Sequence, residues 1–188
     1  MTTSARAEKR LALLLSIGLG TLAFLGCSKA PTSSASPSSF TLSSAAFQNG
    51  GTLPVVYTCD GAGFSPPLAW TGAPKGTVEF ALMMTTIAVD SMKKWNWVLY
   101  NIPGNATSLA ENTVGVGTAG LTSDGPELRY YPPCSQGPGA KTYTFTVYAL
   151  SGTPTFAVSP DSVNGAILTA AISKMTLDSC RLSISYTR

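Results

Sequence analysis

The sequence predicts a mainly β fold, an antiparallel β-sandwich with a helix packed at its side. Three observations support this class: strand-like runs recur along residues 40–188, turn-forming Gly, Pro and Asn separate them, and one helical pattern follows late in the chain. Charged residues make up only 11% of the sequence, which favours short strands and turns over long, salt-bridged helices. Many strands with one late helix are typical of this architecture.

The first 26 residues are predicted to be a lipoprotein signal peptide. Three basic side chains precede an apolar segment over residues 11–25, which is too short to span a membrane comfortably. The segment ends in Leu-Ala-Phe-Leu-Gly-Cys, which resembles a bacterial lipobox, with Phe24 standing where Leu is usual. We expect cleavage before Cys27 and a diacylglycerol on its sulfur. The alternative is an ordinary signal peptide with an incidental cysteine.

Residues 27–39 are predicted to be a flexible tether between this lipid anchor and the folded domain of residues 40–188. The stretch is rich in Ser and Pro and cannot bury apolar area. Ser28, rather than an aspartate, follows Cys27, which resembles lipoproteins that are sent on to an outer membrane. We therefore expect an exported protein of the cell envelope, held at the outer membrane and facing the periplasm or the surface.

The composition excludes two classes of function. The predicted signal peptide holds three of the 12 basic and one of the 9 acidic side chains, so the formal charge of +3 falls to +1 without it. A nearly neutral domain lacks the electrostatic footprint of a nucleic-acid-binding protein. The sequence has no histidine, which excludes Ser-His-Asp and Cys-His catalysis, histidine-bound zinc and imidazole acid–base chemistry. No catalytic residue, metal site or cofactor is predicted.

The strand-like runs are best defined in the second half of the domain. Tyr143, Phe145 and Val147 alternate with polar residues, so that they share one face of a predicted strand. The predicted strands are Phe40–Ser43, Val55–Thr58, Val78–Met84, Trp95–Ile102, Thr142–Leu150 and Arg181–Tyr186.

A helix is predicted to begin near residue 159. Ser159 can cap it, Pro160 fits its first position and Asp161 suits the positive end of the helix dipole. The apolar residues that recur at helical spacing and predict its buried stripe are Val163, Ala166, Ile167, Ala170 and Ala171.

Four blocks of the domain resemble, in the same order, those of the bacterial Raf-kinase-inhibitor-like branch of the phosphatidylethanolamine-binding proteins. The resemblance covers about residues 40–188 and implies a Greek-key β-sandwich with one or two peripheral helices. The blocks are Tyr57–Gly61 continued by Ser65–Thr77, then Phe80–Leu82, Trp97–Pro103 and Tyr143–Leu150.

The resemblance also implies a small anion pocket beside a cis-proline turn, where phosphate or a phospholipid head group can bind. In this chain Thr86 stands at the family's aspartate position, and Asn96 and Lys141 stand at its two histidine positions, whereas Tyr143 is kept. We predict that these four residues bind a small anionic or neutral polar ligand, since Lys141 offers a fixed charge with three donors. The alternative is a pocket that has lost its ligand, with Lys141 pointing into solvent.

These observations favour a non-catalytic binding or regulatory module that is tethered to a membrane through Cys27. The rival hypothesis is an inhibitor of a protease or another enzyme that acts through its surface in the cell envelope. A third is a purely structural envelope protein. The sequence identifies no protein partner.

Three cysteines remain in an oxidising compartment once Cys27 is acylated: Cys59, Cys134 and Cys180. The family resemblance brings the segments around Cys59 and Cys134 toward the pocket end of the sandwich. We therefore favour a Cys59–Cys134 disulfide over Cys59–Cys180. The alternative is three buried thiols, because free cysteine packs as a small hydrophobic residue.

Overall fold

The computed structural model describes residues 40–88 and 90–188, and the predicted signal peptide, Cys27 and tether lie outside them. The described chain is mainly β, with antiparallel pairing throughout its two sheets and one α-helix, so the predicted fold class is confirmed. No helix in residues 40–88 and 90–188 has both the length and the apolar character needed to cross a bilayer.

Eight strands form the two sheets. One sheet has three strands in the order β1–β2–β5, and the other has five in the order β6–β4–β3–β7–β8. The strands are β1 (Thr41–Ser43), β2 (Leu68–Thr71), β3 (Glu79–Ile87), β4 (Lys93–Pro103), β5 (Ser108–Leu109), β6 (Thr118–Ala119), β7 (Lys141–Leu150) and β8 (Thr176–Tyr186).

The main core lies between the two sheets. Tyr143, Phe145 and Val147 of β7 are all buried in it, as the alternating pattern predicts. The smaller sheet contributes Trp70, whose ring centroid lies 5.3 Å from that of Phe80 on β3. Each fully buried side chain of this size stabilises the fold by about 1.5–3 kcal/mol.

The helix α1 (Gly165–Ile172) packs on the opposite face of the larger sheet. It begins five residues after the predicted first position, because Asn164 rather than Ser159 provides the cap. The Asn164 side chain accepts hydrogen bonds from the backbone N–H groups of Ala166 and Ile167, both at 3.0 Å. The Ser-Pro-Asp sequence instead leads into a short 3₁₀ helix, Pro160–Ser162.

The apolar stripe predicted for this helix is right at Val163, which is buried, and at Ile167, which packs against the buried cluster beneath the helix, but it is wrong at two of its alanines. Ala166 and Ala170 are exposed, and the buried positions are Gly165, Leu168 and Ile172. A side chain on Gly165 would collide with the ring of Trp95 on β4, so the missing Cβ lets the helix lie directly on the sheet. The larger apolar side chains face the sheet because they bury more area there than alanine can.

Two further differences concern short elements. Residues Val55–Tyr57 form a 3₁₀ helix that follows Pro54, where the sequence predicted a strand. Strands β2, β5 and β6 were not predicted. They have only four, two and two residues, so they carry too little alternation to be recognised.

Candidate functional site

A cavity of about 400 Å³ opens at one end of the larger sheet, and the four predicted ligand residues all line it. Thr86 lies at the end of β3, Asn96 near the start of β4, and Lys141 and Tyr143 at the start of β7. Because β3 runs antiparallel to both neighbours, its carboxyl end meets the amino ends of β4 and β7. Thr86 is thereby paired with Lys94 on one side and with Tyr143 on the other.

Sequence reasoning assigned none of the other residues around this cavity to ligand binding, although the family resemblance placed the segment around Cys134 at this end of the sandwich. Lys94 lies two positions before Asn96, but the register of β4 against β3 shifts between Trp95 and Trp97, so simple alternation does not relate the two side chains. The remaining residues come from loops, where no periodic signal places a side chain. The lining residues that were not predicted to bind ligand are Ala88, Asp90, Lys94, Asp124, Tyr131, Cys134 and Gln136.

Thr86 is buried, and its hydroxyl donates a hydrogen bond of 2.8 Å to the carbonyl oxygen of Thr142 on β7. This bond uses the only proton of the hydroxyl group. Toward a ligand Thr86 therefore offers lone pairs, and it acts as an acceptor.

Asn96 is only 4% exposed and is held by Tyr131. The backbone N–H of Tyr131 donates to the backbone carbonyl oxygen of Asn96 at 2.7 Å. The side-chain Nδ2 of Asn96 donates to the backbone carbonyl oxygen of Tyr131 at 3.4 Å. The opposite amide orientation would place two oxygens against each other, so Tyr131 fixes the orientation. Asn96 Oδ1 is buried and has no hydrogen-bond partner among the described residues.

Lys141 and Tyr143 supply the donors of the cavity. Lys141 is half-buried, and its Nζ donates to the carbonyl oxygen of Gln136 at 3.3 Å. It forms no ion pair with a carboxylate in the described part of the chain. Burial is the main cause that raises the pKa of Tyr143 to about 12, with Asp124 and Tyr186 adding to it, so its phenol stays protonated at neutral pH.

The ionic groups of the cavity balance one another. Lys94 Nζ lies 2.7 Å from Asp124 Oδ1, and this hydrogen bond is the main cause of the raised pKa of Lys94. Asp90 also lines the cavity and accepts a hydrogen bond from the backbone N–H of Met92 at 3.0 Å. The cavity is therefore not cationic, although Thr86 stands where the resemblance implies an aspartate, because Asp90 and Asp124 contribute negative charge from loops.

A disulfide joins Cys59 to Cys134, the pair that the sequence analysis favours, with the Cα atoms 5.2 Å apart. It attaches the loop that closes one side of the cavity, and the N–H of Cys59 also donates to the carbonyl oxygen of Pro133 at 3.0 Å. The same loop contains a cis peptide bond between Gly137 and Pro138. Cys180 lies in the core as a buried free thiol, and burial is the main cause that raises its pKa to about 12.

A second contact supports the segment around Cys59. Asp60 accepts a hydrogen bond from the hydroxyl of Tyr186 and forms an ion pair with Arg188, whose Nε lies 3.0 Å from Asp60 Oδ1. Arg188 Nη1 also lies 3.6 Å from the sulfur of Cys134. Asp60 is therefore a structural residue beside the cavity, and it does not line it.

Comparison with known proteins identifies similar chains. Residues 43–187 match the family model described as phosphatidylethanolamine-binding protein. A UPF0098 protein of Aquifex aeolicus is 36% identical over 140 residues, which cover 68% of this chain and 82% of the relative. LppC of Mycobacterium tuberculosis, named as a candidate lipoprotein, is 29% identical over 153 residues, which cover 81% of this chain and 73% of LppC.

A solved structure has the same fold. It is CT736 of Chlamydia trachomatis, described as a candidate phosphatidylethanolamine-binding protein homologue. It superposes with a TM-score of 0.73 at 25% identity, and the match covers 80% of this chain and 99% of CT736.

Proposed function

The chain belongs to the phosphatidylethanolamine-binding protein family, and we propose that it is a non-catalytic binding module whose cavity holds a small anionic or polar ligand, such as a phospholipid head group. The observation that carries this proposal is the convergence of Thr86, Asn96, Lys141 and Tyr143 on one cavity of about 400 Å³. A volume of this order is typical of sites for small ligands.

The donors of the cavity support binding of an oxyanion. Lys141 keeps free N–H groups after its bond to Gln136, and it has no carboxylate partner in the described part of the chain. The protonated phenol of Tyr143 adds a neutral donor. A charged donor next to a neutral one gives charge-assisted hydrogen bonds to phosphate or carboxylate oxygens.

The same groups favour binding over catalysis. The sequence has no histidine, so no imidazole base can activate a hydroxyl. The Thr86 hydroxyl is engaged with a backbone carbonyl, and the raised pKa of Tyr143 makes it a poor nucleophile at neutral pH. The ammonium of Lys141 and the amide of Asn96 are groups that hold a ligand in position.

The proposal includes a lipid anchor on Cys27 and a location in the cell envelope, at the outer membrane. The lipobox-like end of the apolar segment supports the anchor, as does the similarity to LppC, whose name describes a candidate lipoprotein. The Cys59–Cys134 disulfide supports export, since disulfides persist in oxidising compartments. The flexible tether proposed for residues 27–39 would let the cavity meet ligands near the membrane.

Crystals of the protein soaked with inorganic phosphate or glycerophosphoethanolamine test this function. We expect ligand density in the cavity, in contact with Lys141 Nζ and the Tyr143 hydroxyl. Mass spectrometry of small molecules that co-purify with the protein provides an independent check. An empty cavity at saturating concentrations of both probes would contradict the proposal.

A further inference from the structure

A separate cavity of about 260 Å³, here called the edge cavity, lies beside Trp97 and Leu99 of β4 and Ala119 of β6. It shares no lining residue with the cavity that holds Lys141. We propose that the edge cavity binds a small monocarboxylate whose apolar part is about one ring in size. This inference goes beyond the proposed function, because it assigns a ligand to a different site.

The first argument is charge. Among the described residues that line the edge cavity, Arg129 is the one that carries a charge. Its guanidinium forms no ion pair with a carboxylate of residues 40–88 and 90–188. The lining therefore has a net formal charge of +1, and a planar guanidinium can form two parallel hydrogen bonds with one carboxylate. A ligand with a single carboxylate matches this site.

The second argument is the set of polar groups beside Arg129. Two of them bond within the protein. Ser65 Oγ accepts from the backbone N–H of Thr113 at 3.1 Å and keeps its own proton, and the Tyr130 hydroxyl donates to the Tyr57 carbonyl oxygen at 2.8 Å. The other polar side chains of the lining are those of Trp97, Asn112 and Thr113. Each of these three can donate a hydrogen bond, so the site suits a carboxylate, which only accepts.

The third argument is the apolar wall. Trp97 and Leu99 are buried, and the Trp97 ring packs edge-on against Tyr130 with the ring centroids 5.4 Å apart. Val114 also lines the edge cavity, but 86% of it is exposed. An apolar ligand group that covers Val114 removes this area from water, which favours binding. The apolar side chains of the lining are Trp97, Leu99, Val114, Val116, Ala119 and Leu128.

The fourth argument is size. A cavity of roughly 150 Å³ is large enough for benzene, and sites for drug-sized ligands begin at roughly 300 Å³. The edge cavity, at about 260 Å³, therefore has room for one ring with a short acid chain. The probe that combines these features is 3-phenylpropionate, which has one ring, two methylene groups and one carboxylate.

NMR titration of the full purified protein at pH 7 and low ionic strength tests the inference with three probes. The first is 3-phenylpropionate. The second, 3-phenylpropionamide, keeps the ring and has no charge, and the third, propionate, keeps the carboxylate and has no ring. We expect 3-phenylpropionate to bind roughly three- to fivefold more tightly than the amide, because an exposed ion pair is worth up to about this factor. It should bind at least about tenfold more tightly than propionate, because the ring is buried.

Variants and signal shifts locate the ligand. The indole N–H signal of Trp97 should shift as 3-phenylpropionate is added, because Trp97 forms part of the wall. Arg129→Gln should bring the ratio of acid to amide affinity to about one and leave the amide affinity unchanged. Arg181→Gln removes the same charge at an exposed position outside the edge cavity, so it is the matched control and should keep the ratio of the unaltered protein.

Four results would overturn the inference. They are equal affinity for acid and amide in the unaltered protein, no binding of 3-phenylpropionate at 20 mM, and loss of its binding in Lys141→Ala but not in Arg129→Gln, which would place it in the other cavity. The fourth is a short peptide with a carboxyl-terminal phenylalanine that binds more than tenfold more tightly, which would make a peptide end the occupant. None of these results concerns phosphate binding at Lys141, so the proposed function stands or fails separately.

Discussion

Asn96 and Tyr131 are joined by two hydrogen bonds that run in opposite directions between them. The backbone N–H of Tyr131 donates to the backbone carbonyl oxygen of Asn96 at 2.7 Å, and the side-chain Nδ2 of Asn96 donates to the backbone carbonyl oxygen of Tyr131 at 3.4 Å. This pair attaches the cavity loop to β4 at the loop's start, and the disulfide of Cys134 attaches the loop to Cys59 three residues later. The cavity wall is therefore fixed to the sheet at one point and to the neighbouring loop at another.

The disulfide should contribute a large share of the stability. The Cys59→Ser/Cys134→Ser double variant should lose roughly 4–5 kcal/mol of unfolding free energy, because the bond closes a loop with a sequence separation of 75. Urea denaturation with and without reductant measures this loss. The double variant should not respond to reductant, and an unaltered protein that unfolds at the same urea concentration in both conditions would contradict the expectation.

The raised pKa of Tyr143 predicts that the folded protein loses stability at alkaline pH. A tyrosine ionises near pH 10 in the unfolded chain and near pH 12 in the folded protein, so both states keep the proton below pH 10. Between these values the unfolded state loses its proton first, and the free energy of unfolding should fall by about 2–3 kcal/mol for this group. Tyr143→Phe should give a shallower decline in chemical denaturation between pH 9 and 12. An identical slope in the two proteins would refute this assignment.

Cys27 is predicted to be the processed and acylated residue. Cys27→Ser should leave the precursor uncleaved by the lipoprotein signal peptidase and abolish incorporation of labelled palmitate. Cys180→Ser is the matched control and should keep the label, since its thiol is buried in the folded domain. Labelling that persists in Cys27→Ser would show that the lipid is attached elsewhere, or that the lipoprotein hypothesis is wrong.

The sequence predicted the parts of the fold that repeat with a regular period. β7 shows this, because Tyr143, Phe145 and Val147 alternate along a long strand and all three face the main core. It did not predict where the α-helix begins, because a capping residue followed by proline, as in Ser159 and Pro160, can start a 3₁₀ helix as well as an α-helix. The choice between the two starts depends on Asn164 and on the contact of Gly165 with Trp95, which are tertiary features.

The residues of the candidate site also fall into two groups, those that the sequence could place and those that it could not. Thr86, Asn96, Lys141 and Tyr143 were predicted through the family resemblance, and their strands bring them together. Asp124 was not, because it lies in a loop whose path depends on packing over the whole domain. Its carboxylate pairs with Lys94, which was also not predicted, so this pair adds no net charge to the cavity. The unpredicted Asp90 lowers the net formal charge of the lining from +1 to zero.

Lys141 provides the most direct test of the binding function. Titration calorimetry of the unaltered protein and of Lys141→Ala with inorganic phosphate should show affinity at least about tenfold weaker in the variant, because the variant loses the one cavity cation without a carboxylate partner in the described residues. Lys174→Ala, at an exposed position away from the cavity, should bind phosphate as the unaltered protein does.

The melting temperature of Lys141→Ala, recorded in the same experiment without ligand, shows whether the lysine binds ligand or supports the fold. We expect it to change little, since the side chain is half-buried and makes one hydrogen bond, to the Gln136 carbonyl oxygen. Weaker phosphate binding with an unchanged melting temperature is the predicted result. Equal phosphate affinity in the two proteins, or a large fall in melting temperature, would contradict the assignment of Lys141 to ligand binding.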